Sequence, residues 1–214
     1  MTKKERYQHI IKYFSKHMPD ADTELKYNSP YELLVAVILS AQCTDKRVNL
    51  ITPSFFRHFP DITSLSRAGY DEVYKLIKSC SYPNTKSRYL VDSAKMICKQ
   101  YHGKIPSSPE KLQLLPGVGR KTANVLSVVL HHAPVFPVDT HVFRVAARIG
   151  LTYKAKNVLM AEQQLTKAFP KKIIPMAHHW LILHGRYVCK ARKPLCEECG
   201  IKKYCKYYAT DRLK

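Results

Sequence analysis

Two glycines flanking one valine, in Leu115-Pro116-Gly117-Val118-Gly119-Arg120-Lys121, constrain this chain more than any other feature. One apolar helical pattern ends at them and another begins at once, so the backbone must turn sharply with almost no residues to spare. Glycine permits positive φ and removes side-chain bulk. The helix that follows presents N–H groups without intrahelical partners, together with the positive end of its dipole. Such a turn can dock an anion, most naturally a phosphate. A plain corner between helices also needs a glycine, and a lone Gly-Val-Gly would favour that plainer reading. Here, however, Arg120 and Lys121 occupy the first turn of the second helix. Asp139 stands eighteen positions after Lys121, just past a proline-rich break. An amine and a carboxylate are therefore both expected at helix beginnings.

Helical periodicity runs through nearly all of the remaining sequence. Tyr7, Ile10, Ile11, Phe14 and Met18 recur at helical spacing with charges between them. The run from Pro30 to Gln42 is apolar almost all round, the pattern of a buried central helix. Further helices are expected over about 46–58, 61–66, 71–78 and 84–101, then a short one ending at the glycine turn. Beyond Asp139, the residues Val142, Phe143, Val145, Ala146 and Ile149 make an apolar helical face, and 157–169 and 175–188 supply two more helices. No period-two alternation appears, so the fold class is all-α. No internal repeat or long linker interrupts it.

Charge narrows the partners. Lys and Arg number 36 against 16 Asp and Glu, a formal charge of +20. A surplus of that size repels itself and calls for an anionic partner, nucleic acid or an acidic membrane. The longest apolar run, Leu33 to Leu39, is far too short to cross a bilayer. The N-terminus lacks the uninterrupted apolar stretch of a secretory signal. A soluble, cytoplasmic protein with no membrane partner is expected.

Four of the seven cysteines crowd into the C-terminal segment: Cys189, Cys196, Cys199 and Cys205, separated by six, two and five residues. An odd cysteine count and the absence of a signal sequence disfavour disulfides. Four thiolates suit a tetrahedral zinc ion, and equally the ligand set of a [4Fe–4S] cluster. Spacing alone leaves these two open. Cys43, Cys80 and Cys98 are scattered and read as core thiols.

The strings LPGVGRKTA, VDTHVFR, HHWLILHGRYVC and SPYELLVAVILSAQCTD, with the cysteine tail, together resemble the endonuclease III family across essentially the whole chain. That family comprises bifunctional DNA glycosylases and AP lyases of base excision repair. The resemblance, rather than the spacing, implies [4Fe–4S] over zinc, with Cys189, Cys196, Cys199 and Cys205 as ligands. It implies a two-domain helix-hairpin-helix fold: a six-helix domain over 22–132, and a discontinuous cluster domain of 1–21 and 133–214, with a DNA cleft between them. The expected partner is double-stranded DNA bearing oxidised pyrimidines or abasic sites, bound by a monomer associated with the nucleoid while it acts.

Residue roles follow from the same resemblance. Lys121 is the expected nucleophile, attacking C1′ of the damaged nucleotide, expelling the base and forming a Schiff base, with β-elimination then cutting the strand on the 3′ side. An amine attacks only when unprotonated, and Lys121 is expected at a helix beginning beside Arg120. One more phosphate-binding lysine is the plainer reading of the same residue. Asp139 would stabilise positive charge on the sugar, although it also sits where a helix cap belongs. Gly117, Val118, Gly119 and Arg120 would hold DNA phosphate. Gln42 would enter the duplex opposite the extruded nucleotide. Tyr82, in Ser81-Tyr82-Pro83-Asn84, would be a second wedge, where better-known members have glycine, a bulky aliphatic and tyrosine. A buried loop tyrosine is the alternative, and the sequence does not choose. Asp45 is either a pocket residue or a cap, and His141 a structural neighbour of the site. Adenine-mismatch glycosylases share the hairpin, the aspartate and the cluster but lack the lysine. Retention of Lys121 with Asp139 also disfavours a non-catalytic DNA-binding module, and the basic charge disfavours a redox carrier.

Overall fold

The computed structural model describes residues 1–211, and among these no β-strand occurs. The helices are α1 (Lys3–His17), α2 (Pro30–Ser40), α3 (Asp45–His58), α4 (Ile62–Ser66), α5 (Tyr70–Ile77) and α6 (Pro83–Tyr101). They continue with α7 (Pro109–Leu112), α8 (Arg120–His131), α9 (Thr140–Ile149), α10 (Val158–Ala168), α11 (Ile174–Tyr187) and α12 (Lys206–Asp211). Short polar side chains set most of the starts. Thr2, Ser29, Thr44, Asp61, Ser108, Asp139 and Asn157 each accept from a backbone N–H in the first turn of the helix they precede. At α1 the cap is reciprocal, because the Glu5 carboxylate accepts from the Thr2 N–H at 2.8 Å.

The chain divides into two compact units. One is Thr23–His131; the other joins Met1–Asp22 to His132–Lys214, of which 212–214 lie outside the described residues.

In the unit Thr23–His131, α2 is the centre. Tyr31 and all seven residues from Leu33 to Leu39 are buried, and the helix packs against α3, α6 and α8. Burying a large aliphatic side chain contributes about 1.5–3 kcal/mol, and α2 supplies more buried apolar side chains to this core than any other helix. The helix ends at Ser40, two residues before the apolar pattern does. Ala41 leaves the helical region and Gln42 adopts φ +55°. The unit holds seven helical segments among its described residues, of which Pro109–Leu112, capped by Ser108, is the short one expected before the glycine turn.

In the other unit, α11 packs on α9, and α1, α10 and α12 complete the layer. Trp180, the chain's one tryptophan, is buried on α11; its indole donates to the Met18 carbonyl at 2.8 Å and its ring stacks on Phe14. Gly150, at φ +89°, ends α9: its N–H and that of Leu151 both donate to the Ala146 carbonyl, closing the last turn.

Candidate active site and cluster segment

The hairpin glycines turn out to have different causes. Gly117 has φ +77°, and a Cβ there would lie 2.6 Å from the Tyr89 ring, so both conformation and packing demand glycine. Ser93 donates to the Pro116 carbonyl at 2.6 Å and the Val118 N–H donates to Leu115 at 3.0 Å, which fixes the turn. Gly119 has no such need: a Cβ there would meet nothing within 4 Å. Its carbonyl accepts from Ala123, so α8 begins immediately behind it. The Val118 side chain is buried in the core, leaving only its backbone for a ligand. Arg120 and Lys121 are exposed on the first turn of α8.

Asp139 is half-buried and caps α9, accepting from the Val142 N–H at 2.8 Å. The segment leading to it is held on both sides. The Phe136 N–H donates to the Thr166 hydroxyl at 2.9 Å, and the buried His178 ring lies 2.9 Å from the Pro137 carbonyl. His141 does not reach out as a second base; its Nδ1 lies 3.3 Å from Arg144 Nη2. Asp45 is not the cap of α3, since Thr44 fills that position, and Asp45 is the first helical residue.

Gln42 and Tyr82, forty residues apart in sequence, come together. Both are exposed and both stand at positive φ, +55° and +54°. Tyr82 is 62% exposed, which removes the buried-tyrosine reading. The Ser81 hydroxyl donates to the Gln42 carbonyl at 2.8 Å, and the two residues border one cleft with Tyr89 and Gly117. Beneath them lies Lys86, buried on α6. Its ammonium donates to the Leu39 and Ala41 carbonyls, each at 2.7 Å, and to Cys80 Sγ at 3.3 Å. Those carbonyls are the unpaired end of α2, which has no basic residue in its last turn. Lys86 thus fixes the point where the Gln42 loop leaves the core. It was not singled out from sequence, because a lysine three residues inside a polar helix start carries no mark of burial.

The four C-terminal cysteines line one cavity, together with His184, Ile149 and Leu195. Among the described residues no three Cys, His, Asp or Glu groups gather closely enough to hold a single ion. Thiolates around one zinc would stand about 3.8 Å apart, from the Zn–S bond length and tetrahedral geometry. Here they line one common space, and four thiols are the donor set of a [4Fe–4S] cluster. Burial pushes the Cys199 thiol up to about 11, with repulsion from Cys205, Cys189 and Cys196 adding to the rise. Burial raises Cys196 and Cys205 as well. Four thiolates are tolerable in this space only around positive charge. Two arginines of α9, one turn apart, secure the start of the segment. Arg144 donates to the Gly185 and Cys189 carbonyls at 2.9 and 3.1 Å, and Arg148 to Lys190 and Ala191 at 2.7 and 3.0 Å. Their i, i+4 spacing was the available sequence signal.

Residues 35–171 match the HhH-GPD superfamily of base excision DNA repair proteins, and residues 189–205 match the iron–sulfur binding domain of endonuclease III. Fold and site together define a helix-hairpin-helix base excision repair protein with an iron–sulfur segment. The chain is 46% identical to endonuclease III of Rickettsia felis over 93% of each chain, and 39% identical to that of Escherichia coli K12 over 97% of each. A solved structure of a trapped endonuclease III–DNA covalent intermediate, an estranged-adenine complex, aligns over all of both chains at TM-score 0.91 and 36% identity. The chain belongs to the endonuclease III family: it is a DNA glycosylase and AP lyase of base excision repair, with a [4Fe–4S] cluster as cofactor.

Proposed function

We propose that Lys121 is the amine that bonds to DNA. The observation that carries this reading is its place on the exposed first turn of α8, beside a glycine whose missing side chain admits a phosphate. A covalent endonuclease III–DNA intermediate in a relative calls for a nucleophile, and a lysine at a phosphate dock is suited to the part. The unprotonated Nζ attacks C1′, the glycosidic bond breaks and the base leaves with the electron pair. Ring opening gives an iminium between Nζ and C1′. Loss of a C2′ proton then expels the 3′ phosphate, and water releases the lysine. Asp139 supplies negative charge opposite the cationic sugar. Its carboxylate is oriented by the Val142 N–H, so no reorganisation is needed as charge develops.

Gly117, Val118 and Gly119 would hold phosphate through their backbone, and Arg120 through its guanidinium. Gln42 and Tyr82 would fill the space left by the extruded nucleotide, Tyr82 by stacking. Cys189, Cys196, Cys199 and Cys205 would ligate the cluster, which stiffens a segment with little apolar core of its own. The substrate class is duplex DNA with an oxidised pyrimidine or an abasic site, and the active species is a monomer.

Borohydride added during reaction with a duplex carrying one oxidised pyrimidine tests the central step. A covalent adduct is expected, and it disappears in Lys121→Gln, with activity falling by about four orders of magnitude or more. Base release without an adduct would make water the nucleophile. Asp139→Asn is expected to slow base release about a hundredfold while DNA affinity holds. Unchanged turnover in that variant would reduce Asp139 to a helix cap.

A further inference from the structure

Cys43 and Cys80 were read from sequence as core thiols, and Cys80 is indeed buried in the core with Cys43 packed against it; the structure adds that they are neighbours in space. Cys43 directly follows Gln42 and Cys80 directly precedes Ser81, so each stands at the root of one exposed loop. The Ser81 hydroxyl reaches the Gln42 carbonyl at 2.8 Å, and the Lys86 ammonium bridges Cys80 Sγ at 3.3 Å and the Ala41 carbonyl at 2.7 Å, so the two chain segments that carry the thiols lie against each other. Cys80 is buried, donates to the Leu39 carbonyl at 3.3 Å and lies 3.3 Å from the Lys86 ammonium, whereas Cys43 is half-exposed. The geometry points to a built dithiol: we propose that Cys43 and Cys80 form an intramolecular disulfide on exposure to hydroperoxides, and that this bond lowers DNA affinity by tying the Gln42 and Tyr82 loops together.

The division of labour between the sulfurs is set by their surroundings. Partial burial opposes ionisation of Cys43, but the Ser81 N–H, the Cys80 thiol and the Lys86 charge outweigh it and hold its pKa below the ordinary thiol value. Burial, with Cys43 beside it, raises Cys80. Cys43 is therefore the more readily ionised sulfur and Cys80 the one that holds its proton longer. The Cys43 thiolate attacks the peroxide, forming an S–O bond while the O–O bond breaks and the alkoxide or hydroxide takes a proton. The Cys80 sulfur then displaces the sulfenic oxygen as water, and its thiol proton goes into that water. In sum, two thiols and one hydroperoxide give one disulfide, one alcohol or water, and one water.

Closure alters the wedge loops directly. A disulfide holds its Cβ atoms within about 3.5–4.5 Å, so residues 43 and 80 lose the freedom to separate. It also removes the Cys80 S–H that donates to the Leu39 carbonyl, leaving that carbonyl to the Lys86 ammonium, which holds Ala41 as well at the exit of the Gln42 loop. The effect on DNA rests on the proposed roles of Gln42 and Tyr82, whereas the chemistry of the thiol pair does not.

Holoprotein is treated with hydrogen peroxide at a level that leaves the visible absorbance of the cluster unchanged, then alkylated and mapped by mass spectrometry without reduction. A peptide linking Cys43 to Cys80 is expected, with loss of two hydrogen atoms, reversed by dithiothreitol. Binding to a duplex with an uncleavable abasic analogue is expected to weaken roughly fivefold, at the lower end of ordinary coupling energies. Both effects vanish in Cys43→Ser, a half-exposed position that tolerates the change, and in Cys80→Ala. Alkylation of both cysteines after peroxide overturns the proposal, as does an equal loss of binding in Cys43→Ser. A linked peptide with undiminished binding refutes the control of DNA affinity; if Gln42→Ala then also binds normally, the wedge role fails with it.

Discussion

The two units of this chain solve the same problem by different means. Thr23–His131 is built around a helix with eight buried apolar side chains, and its helices need little else. In the other unit, the stretch from Val188 to Cys205 has only one short 3-10 turn, with Cys199 and Ile201 its buried apolar residues. It is held by arginine side chains on backbone carbonyls and by four converging cysteines. Where apolar area suffices, the surface is free to carry loops for DNA. Where it does not, a bound inorganic group has to stand in for a core.

That contrast is sharpened most by removing one of the proposed cluster ligands. Cys199→Ser is expected to abolish the visible absorbance and to destabilise its own unit by roughly 5 kcal/mol, the range of lost metal sites. Limited proteolysis should then cut first within 188–205; uniform cutting along the chain would mean the segment does not depend on the cluster. The matching change in the other unit, Leu34→Ala, is expected to cost about 3–4 kcal/mol by leaving a cavity in the central helix. It should unfold in denaturant earlier with the absorbance intact. Loss of the cluster in that variant would show the two units to be less separable than their cores suggest.

Arg144→Met offers an intermediate case. It strands the Gly185 and Cys189 carbonyls, and a loss of about 2 kcal/mol is expected, with the cluster still assembled but more readily stripped by a chelator. An unaltered chelation rate would leave the cysteines alone responsible for the segment. The smallest effect belongs to pH. Burial holds His179 below its ordinary 6.5, against the opposing pull of Asp22 at 3.4 Å. The unfolded chain takes a proton that the folded one refuses, so this contribution is fully present above 6.5 and falls as the pH drops through it. His179→Gln should flatten that slope in urea midpoints; an identical slope would assign it to other groups.

The sequence was most informative where one side chain decides one local outcome. Periodicity located the helices, and caps such as Thr44 and Asp61 placed their starts to within a residue. The end of α2 was missed by two residues because its stop is imposed from α6, by Lys86 across 45 positions of chain. Gly117 and Gly119 looked alike as letters, and the positive φ of Gly117 with the Tyr89 ring against it separates a glycine the fold requires from one that faces open space. Cys43 and Cys80 carry no spacing motif at all. Tertiary proximity makes them a pair, and sequence periodicity holds no record of it.

The lone tryptophan bears on every such measurement. Trp180 is enclosed in the unit that holds the cluster segment, stacked on Phe14 and tied to Met18. Indole emission consequently reports on the surroundings of Phe14 and Met18 in that unit, whereas Thr23–His131 holds no tryptophan and its intrinsic fluorophores are tyrosines such as Tyr31. A fluorescence melt and a circular dichroism melt of this protein are different experiments, and the gap between their midpoints measures how far one half can lose its structure before the other responds.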